Sequence, residues 1–159
     1  MKNKKQWFIV IVFTLLMLFT GCEMLVDDQA KMSLRCQSNY ALELYDVNSS
    51  IEVYTKDDFI TTVNQKNVYS AKWEDVDVDK MLQSLEKEKQ SMEQAGLIFT
   101  YDINKIGLDL VSSLIIEFNT KNLDKLIDSD FASIINDNKV VKTDYRNYLQ
   151  SKGYVCVDA

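Results

Sequence analysis

Apolar and polar positions begin to alternate in twos about thirty residues into the chain. Met32, Leu34 and Cys36 are separated by Ser33, Arg35 and Gln37. That period puts the two sets on opposite faces of a strand starting at Lys31. Ala41–Tyr45 reads as a second strand or a continuation of the first. Ile51 and Val53, with Asp46-Val47, belong to the next. Asn48-Ser49-Ser50 and Lys56-Asp57-Asp58 carry turn-forming residues. Phe59–Tyr69 is a further strand, with Asn64-Gln65-Lys66-Asn67 as an interruption, and its pairing with residues 50–55 makes a hairpin.

The period changes at Val78. Val78, Met81, Leu85, Met92 and Ala95 recur at helical spacing, and Glu88 breaks the stripe. Asp77 or Asp79 is placed to cap the start by accepting backbone N–H bonds. Gly96 is placed to end the helix in a left-handed conformation before Leu97. Leu97, Phe99 and Tyr101 alternate again, Asn104-Lys105-Ile106-Gly107 turns, and Leu110–Phe118 completes a second hairpin. Residues 121–136 are mixed, with a short helix at Leu123–Ile127. A last helix spans Asp144–Lys152, capped by Thr143 and stopped by Gly153, before a short strand at Tyr154–Val157. Hairpins without alternating crossover helices predict an α+β fold. Its antiparallel sheet is packed by one long amphipathic helix and a shorter C-terminal helix. Residues 31–159 form a single domain.

The N-terminus has a different character. Lys2, Lys4 and Lys5 precede an apolar run from Trp7 to Phe19 broken only by Thr14, and Gly21-Cys22 follows. A charged start, a short apolar core and a small residue before the cut define a secretory signal over residues 1–21. The run is shorter than the roughly 20 residues a spanning helix needs. The junction resembles a bacterial lipobox, with Phe19 where Leu is more usual. Cys22 is then the lipidation site, and residues 22–30 are the lipidated Cys and a tether. The alternative is an ordinary signal peptide or an uncleaved anchor with a chance Cys. The expected location is the extracytoplasmic face of the cell membrane.

Loss of three lysines with the signal takes the formal charge from −6 to −9. An acidic chain of this kind repels phosphate backbones, so a nucleic-acid partner is not expected. Cys36 and Cys156 remain after lipidation. Outside the cytoplasm, two cysteines in one small domain usually pair, and the alternative is two buried free thiols. A pair would close a loop of about 120 residues.

Chemistry is constrained by absence. There is no His, which removes Ser–His, Cys–His and HExxH arrangements. Glycines at 96, 107 and 153 alone follow Cys22 and form no phosphate-binding loop. Asp75, Asp77, Asp79 and Glu86 take positions one, three, five and twelve of a calcium loop, but position six is Lys80 rather than the Gly the turn requires. The competing reading is acids at a helix N-terminus, favoured by the dipole, and no metal or other cofactor is expected. Tyr145, Tyr148 and Leu149 line one side of the last helix, and Trp73 precedes the long one. Such aromatics either pack in the core or anchor a partner.

The order of elements also resembles a family. A lipobox precedes Leu34-Arg35-Cys36. A hairpin, a helix and a hairpin ending Ile115-Ile116-Glu117-Phe118 follow, then Asn122-Leu123-Asp124-Lys125-Leu126. The chain closes on Leu149-Gln150-Ser151-Lys152-Gly153-Tyr154-Val155-Cys156. This is similar to the YehR-like group of small bacterial lipoproteins. The resemblance implies an α+β fold and an envelope location, and no catalytic residues. The expected function is a non-catalytic binding or interaction module of the envelope. Its partner would be an envelope protein, a peptide or a small ligand, held at a strand edge or in a groove between sheet and helix. The alternative is a structural envelope component without a diffusible ligand, and an enzyme is not expected.

Overall fold

A computed structural model describes residues 30–74, 76–126 and 132–159. Three long strands come first: β1 (Lys31–Ala41), β2 (Tyr45–Lys56) and β3 (Phe59–Ala71). Helix α1 (Val78–Gln94) leads to β4 (Phe99–Ile106), β5 (Asp109–Glu117) and α2 (Thr120–Leu126). A small hairpin, β6 (Ile135–Asn136) and β7 (Lys139–Val140), precedes α3 (Lys142–Ser151) and β8 (Val155–Asp158). Six strands form one sheet in the order β4-β5-β3-β2-β1-β8, antiparallel at every pairing. The fold class is α+β, as the hairpin pattern predicts.

The alternation along β2 decides which face is covered. Tyr45, Val47, Ser49, Ile51, Val53 and Thr55 are all buried, while Asp46 and Asn48 are exposed. One face therefore carries the helices and the other meets water, as antiparallel sheets allow. Two apolar clusters form on the covered face. Leu123 of α2 and Tyr145 and Leu149 of α3 pack with Leu34, Ile51, Val53 and Val63. Val78 and Leu85 of α1 pack with Tyr45, Val47, Tyr69 and Leu110. Tyr145 and Leu149 are thus core residues. Tyr148, stacked on Tyr145 at 6.2 Å, is half-buried.

A polar band separates the clusters. Ser49 donates to Asn67 Oδ1 at 2.6 Å and lies 2.8 Å from the Tyr154 hydroxyl. Gln65 donates to the same Asn67 oxygen, and Asn67 donates to Tyr69 and Ser112. Tyr101 lies beside this band, near Glu88 and Ser112, and its burial pushes its hydroxyl up to about 12. Glu88, the break in the α1 stripe, therefore faces a polar partner. Desolvation beside this band raises its carboxyl.

The band corrects two expectations. Asn48-Ser49-Ser50 lies inside β2, and Asn64–Asn67 runs uninterrupted through β3. Asn48, Ser49, Ser50 and Asn67 bond across the sheet instead of turning the chain. Asn104-Lys105-Ile106 belongs to β4, and the turn is Gly107-Leu108, with Gly107 at φ 64°. Such a two-residue connection accepts Gly at its first position. Leu42–Leu44 connects β1 to β2 rather than forming strand. Asp57 and Asp58 turn as expected, both with positive φ. Asp137 and Asn138 do the same between β6 and β7, a hairpin that the mixed pattern concealed.

Both long helices end alike. Gly96 N–H bonds Glu93 O while Leu97 N–H reaches Met92 O; Gly153 and Tyr154 repeat the pattern on Gln150 and Leu149. This is the Schellman arrangement, and it needs the left-handed glycine. The starts differ from expectation. Asp77 is the N-cap of α1 but makes no side-chain cap bond, and its carboxylate lies 3.4 Å from Lys80 instead. Val141 is the N-cap of α3, so Thr143 falls within its first turn. Ala95 is exposed, at the end of the apolar stripe.

Cys36 and Cys156 stand opposite each other in the β1–β8 register, with sulfurs 2.02 Å apart and a sequence separation of 120. The last strand is thereby joined to the first. Beside this link, Asp158 of β8 accepts from Arg146 and lies 3.5 Å from Lys142, both on α3. The Arg146 hydrogen bond and both cations hold its carboxyl below the usual range. The folded value lies below the unfolded one, so the stabilisation is present above about pH 4 and is lost as pH falls through the lowered value. Asp158→Asn should lower the melting temperature at neutral pH. Thermal scans down the pH range should show that difference vanishing in acid; a constant difference would contradict this role.

Candidate functional site

The register defines two ends of the sheet. Lys31 pairs with Thr55 at one end, and Ala41 with Asp46 at the other. Ten residue steps at about 3.3 Å each separate them by about 33 Å. The end near Lys31 also holds the β2–β3 turn and the start of α3, whose Lys142 N–H bonds Asp58 O. The far end gathers the β1–β2 turn, the end of β3 and the β4–β5 turn, because Tyr45 pairs with Ala71 and Asp109 with Ser70.

Apolar exposure concentrates at that far end. Nine large hydrophobic residues are exposed among the described residues, and six of them lie there: Tyr40, Leu42, Leu44, Trp73, Ile106 and Leu108. Scattered apolar residues on a surface need no explanation, but a group gathered at one end of the fold marks a candidate interaction site. Two of the six, Leu44 and Trp73, wall a groove of about 770 Å³ together with Tyr45, Val76 and Met81, with Asp77, Lys80 and Ser84 at its polar side. That volume is in the range of small-ligand and peptide clefts. Trp73 is 55% exposed, so its ring is not core.

Tyr45 gives the groove its one buried polar group. The residue is 4% exposed, and its hydroxyl has no hydrogen-bond partner among the described residues. Burial first, and then Asp77, raises its pKa, opposed by Lys105. The hydroxyl thus stays protonated as a donor. Buried hydroxyls normally find a partner, and an orphan calls for an explanation.

The acidic run is dispersed by this geometry. Asp79 lies 2.8 Å from Lys105 and Asp77 pairs with Lys80. Glu86 is an exposed residue of α1. Asp75 lies outside the described residues, as do Cys22 and the whole N-terminal signal. Among the described residues no three His, Cys, Asp or Glu side chains converge on a metal position. No described helix is long and apolar enough to cross a membrane. Of the residues that line the groove, the sequence pattern singled out Trp73, Asp77 and Met81 but not Leu44 or Tyr45. The available signal was Leu42 and Leu44 flanking Glu43 in a turn, where apolar side chains have no core to enter.

No family model matches the chain, and no curated protein matches it either. The NMR structure of a protein from Streptococcus pneumoniae TIGR4 is similar in fold, with a TM-score of 0.52 at 10% identity, over 84% of this chain and 87% of that one. The likeness extends the α+β architecture to a second protein and concerns the fold alone.

Proposed function

We propose that this chain is a bacterial lipoprotein, cut after Gly21 and anchored through Cys22 to the extracytoplasmic face of the cell membrane. There it serves as a non-catalytic binding module of the envelope. The observation that carries the reading is the apolar groove at the end of the sheet remote from Lys31. A tether of residues 22–30 leads into β1 at the opposite end. An anchored domain would thus present the groove to its surroundings, about 33 Å of strand away from its attachment. The cysteine pair suits an oxidising compartment, and the resemblance to the YehR-like lipoproteins points to the same address. The partner is an envelope protein, a peptide or a small ligand rather than a nucleic acid.

The anchor is tested in cells grown with an alkyne fatty acid. Wild type should take up the label, whereas Cys22→Ser should remain an unlabelled precursor of higher mass. Equal processing and labelling of the two would remove the lipoprotein half of the reading. For the binding half, the processed protein is melted against a panel of peptides, sugars and metal ions. A ligand at one hundred times its Kd stabilises by about 2.7 kcal/mol, a shift of several degrees. Trp73→Ala should abolish that shift without altering the unliganded melting temperature; a shift that survives in Trp73→Ala would place binding elsewhere.

A further inference from the structure

We infer that the groove end takes a cationic amphipathic peptide, one whose apolar side chains are flanked by lysine or arginine. This rests on the binding-module reading and names its partner class. Three features of the far end converge on it.

The first is extent. The exposed apolar residues come from three separate places: Leu42 and Leu44 between β1 and β2, Trp73 after β3, and Ile106 and Leu108 at the end of β4 and its turn. A single sugar ring stacked on Trp73 would use one of them. An extended or helical segment with several apolar side chains would use more.

The second is charge. Each lysine around this end is already matched by a carboxylate: Lys72 with Asp46 at 3.7 Å, Lys80 with Asp77 and Lys105 with Asp79. Glu43, Glu74 and Asp109 have no ion-pair partner among the described residues. The uncompensated charge of the rim is therefore negative. It attracts a basic partner and repels an acidic one, which fixes choice and encounter rate more than raw affinity.

The third is the orphan hydroxyl of Tyr45, buried at the groove wall. A peptide is apolar along its side chains yet supplies backbone carbonyl acceptors at every residue. It meets an apolar groove with one unpartnered donor better than a pure hydrocarbon does.

The test uses the processed, full-length protein in non-ionic detergent. Trp7 leaves with the signal and the chain holds two Trp in all, so emission then reports Trp73 alone. Three peptides of equal leucine content, alternating with Lys, Gln or Glu, are titrated separately, and a chitin oligosaccharide is titrated as a fourth probe. The Lys peptide should shift and saturate the emission. Its affinity should exceed that of the Gln peptide by roughly tenfold and should weaken with added salt. Leu42→Ala with Leu44→Ala should lose most of that binding, whereas Val155→Ala with Val157→Ala, at an exposed site on β8, should not. Tyr45→Phe should weaken it about fivefold, the loss of one hydrogen bond. Equal Trp73-dependent binding of the Gln or Glu peptide would overturn the inference and leave the binding module standing. A response to the oligosaccharide alone would do the same in favour of a sugar. Silence of Trp73 toward all four probes would overturn the peptide inference, while the panel melts decide the module separately.

Discussion

Reduction of the Cys36–Cys156 pair should lower the melting temperature by roughly 10 °C, as about 2–4 kcal/mol of stability is lost from a domain of this size. The link closes a loop of 120 residues, so it removes much of the freedom of the unfolded chain. It also acts where the native sheet is weakest. Strand β8 has four residues, and among the described residues β1 is its sole neighbour in the sheet, through four register pairs. Val155 and Val157 point to solvent, 74% and 58% exposed, and contribute little burial of their own. The measurement is circular dichroism melting with and without a reductant. Cys156→Ser is the cleaner variant, because it leaves fully buried Cys36 as a small apolar thiol in the core. It should melt like reduced wild type and be indifferent to reductant. Equal melting of oxidised and reduced wild type would contradict the role.

Asn122→Ala should destabilise the domain by about 2–4 kcal/mol, as much as the loss of a core leucine. Asn122 is fully buried, and all its polar atoms are used. Its oxygen accepts the Ile98 N–H at 2.7 Å, and its nitrogen donates to Ile98 O at 2.7 Å and Glu117 O at 2.8 Å. Asn119 in turn accepts the Asn122 N–H, capping α2. One side chain thus ties the entry to β4, the exit from β5 and the start of α2. Removing it takes the side-chain partner from one N–H and two carbonyls and leaves a void at a fully buried position. Asn122→Asp should be no better at neutral pH, since it sets a carboxylate against two carbonyl oxygens in a buried site. Urea midpoints decide this, and a midpoint for either variant within error of wild type would refute the account.

Why some of this is legible in the sequence and some is not follows from the kind of contact involved. Met32-Leu34-Cys36, the α1 stripe and the glycines at 96 and 153 act through local periodicity and backbone conformation, so their positions state their roles. Asn64–Asn67 looks like a break because polar residues in a strand usually face water. Here Gln65 and Asn67 turn toward the covered face, where Gln65 bonds Asn67 along the strand and Asn67 bonds Ser49 and Ser112 across strands, and only the paired sheet reveals it. Asn122 has no legible role until folding brings Ile98 and Glu117 to it. Thr143 and Asp77 have the right chemistry for caps, yet neither side chain makes the cap bond. The groove is partly legible. Trp73 stands out beside the acidic run, but Leu44 and Tyr45 join it through the pairing of Tyr45 with Ala71, 26 positions along the chain. The carboxylates at 77 and 79 read as potential calcium ligands in a row, whereas Lys80 and Lys105 separate them into two ion pairs.

The central claim is that the end of the sheet remote from Lys31 is where this protein meets its partner. Its most direct test is a photo-crosslinking residue placed in turn at positions 44 and 155, both exposed, in the full-length protein in intact cells. Discrete adducts from position 44, lost on adding Trp73→Ala, with none from position 155, are the predicted result. Adducts from position 155 alone, or the same set from both positions, would contradict the claim.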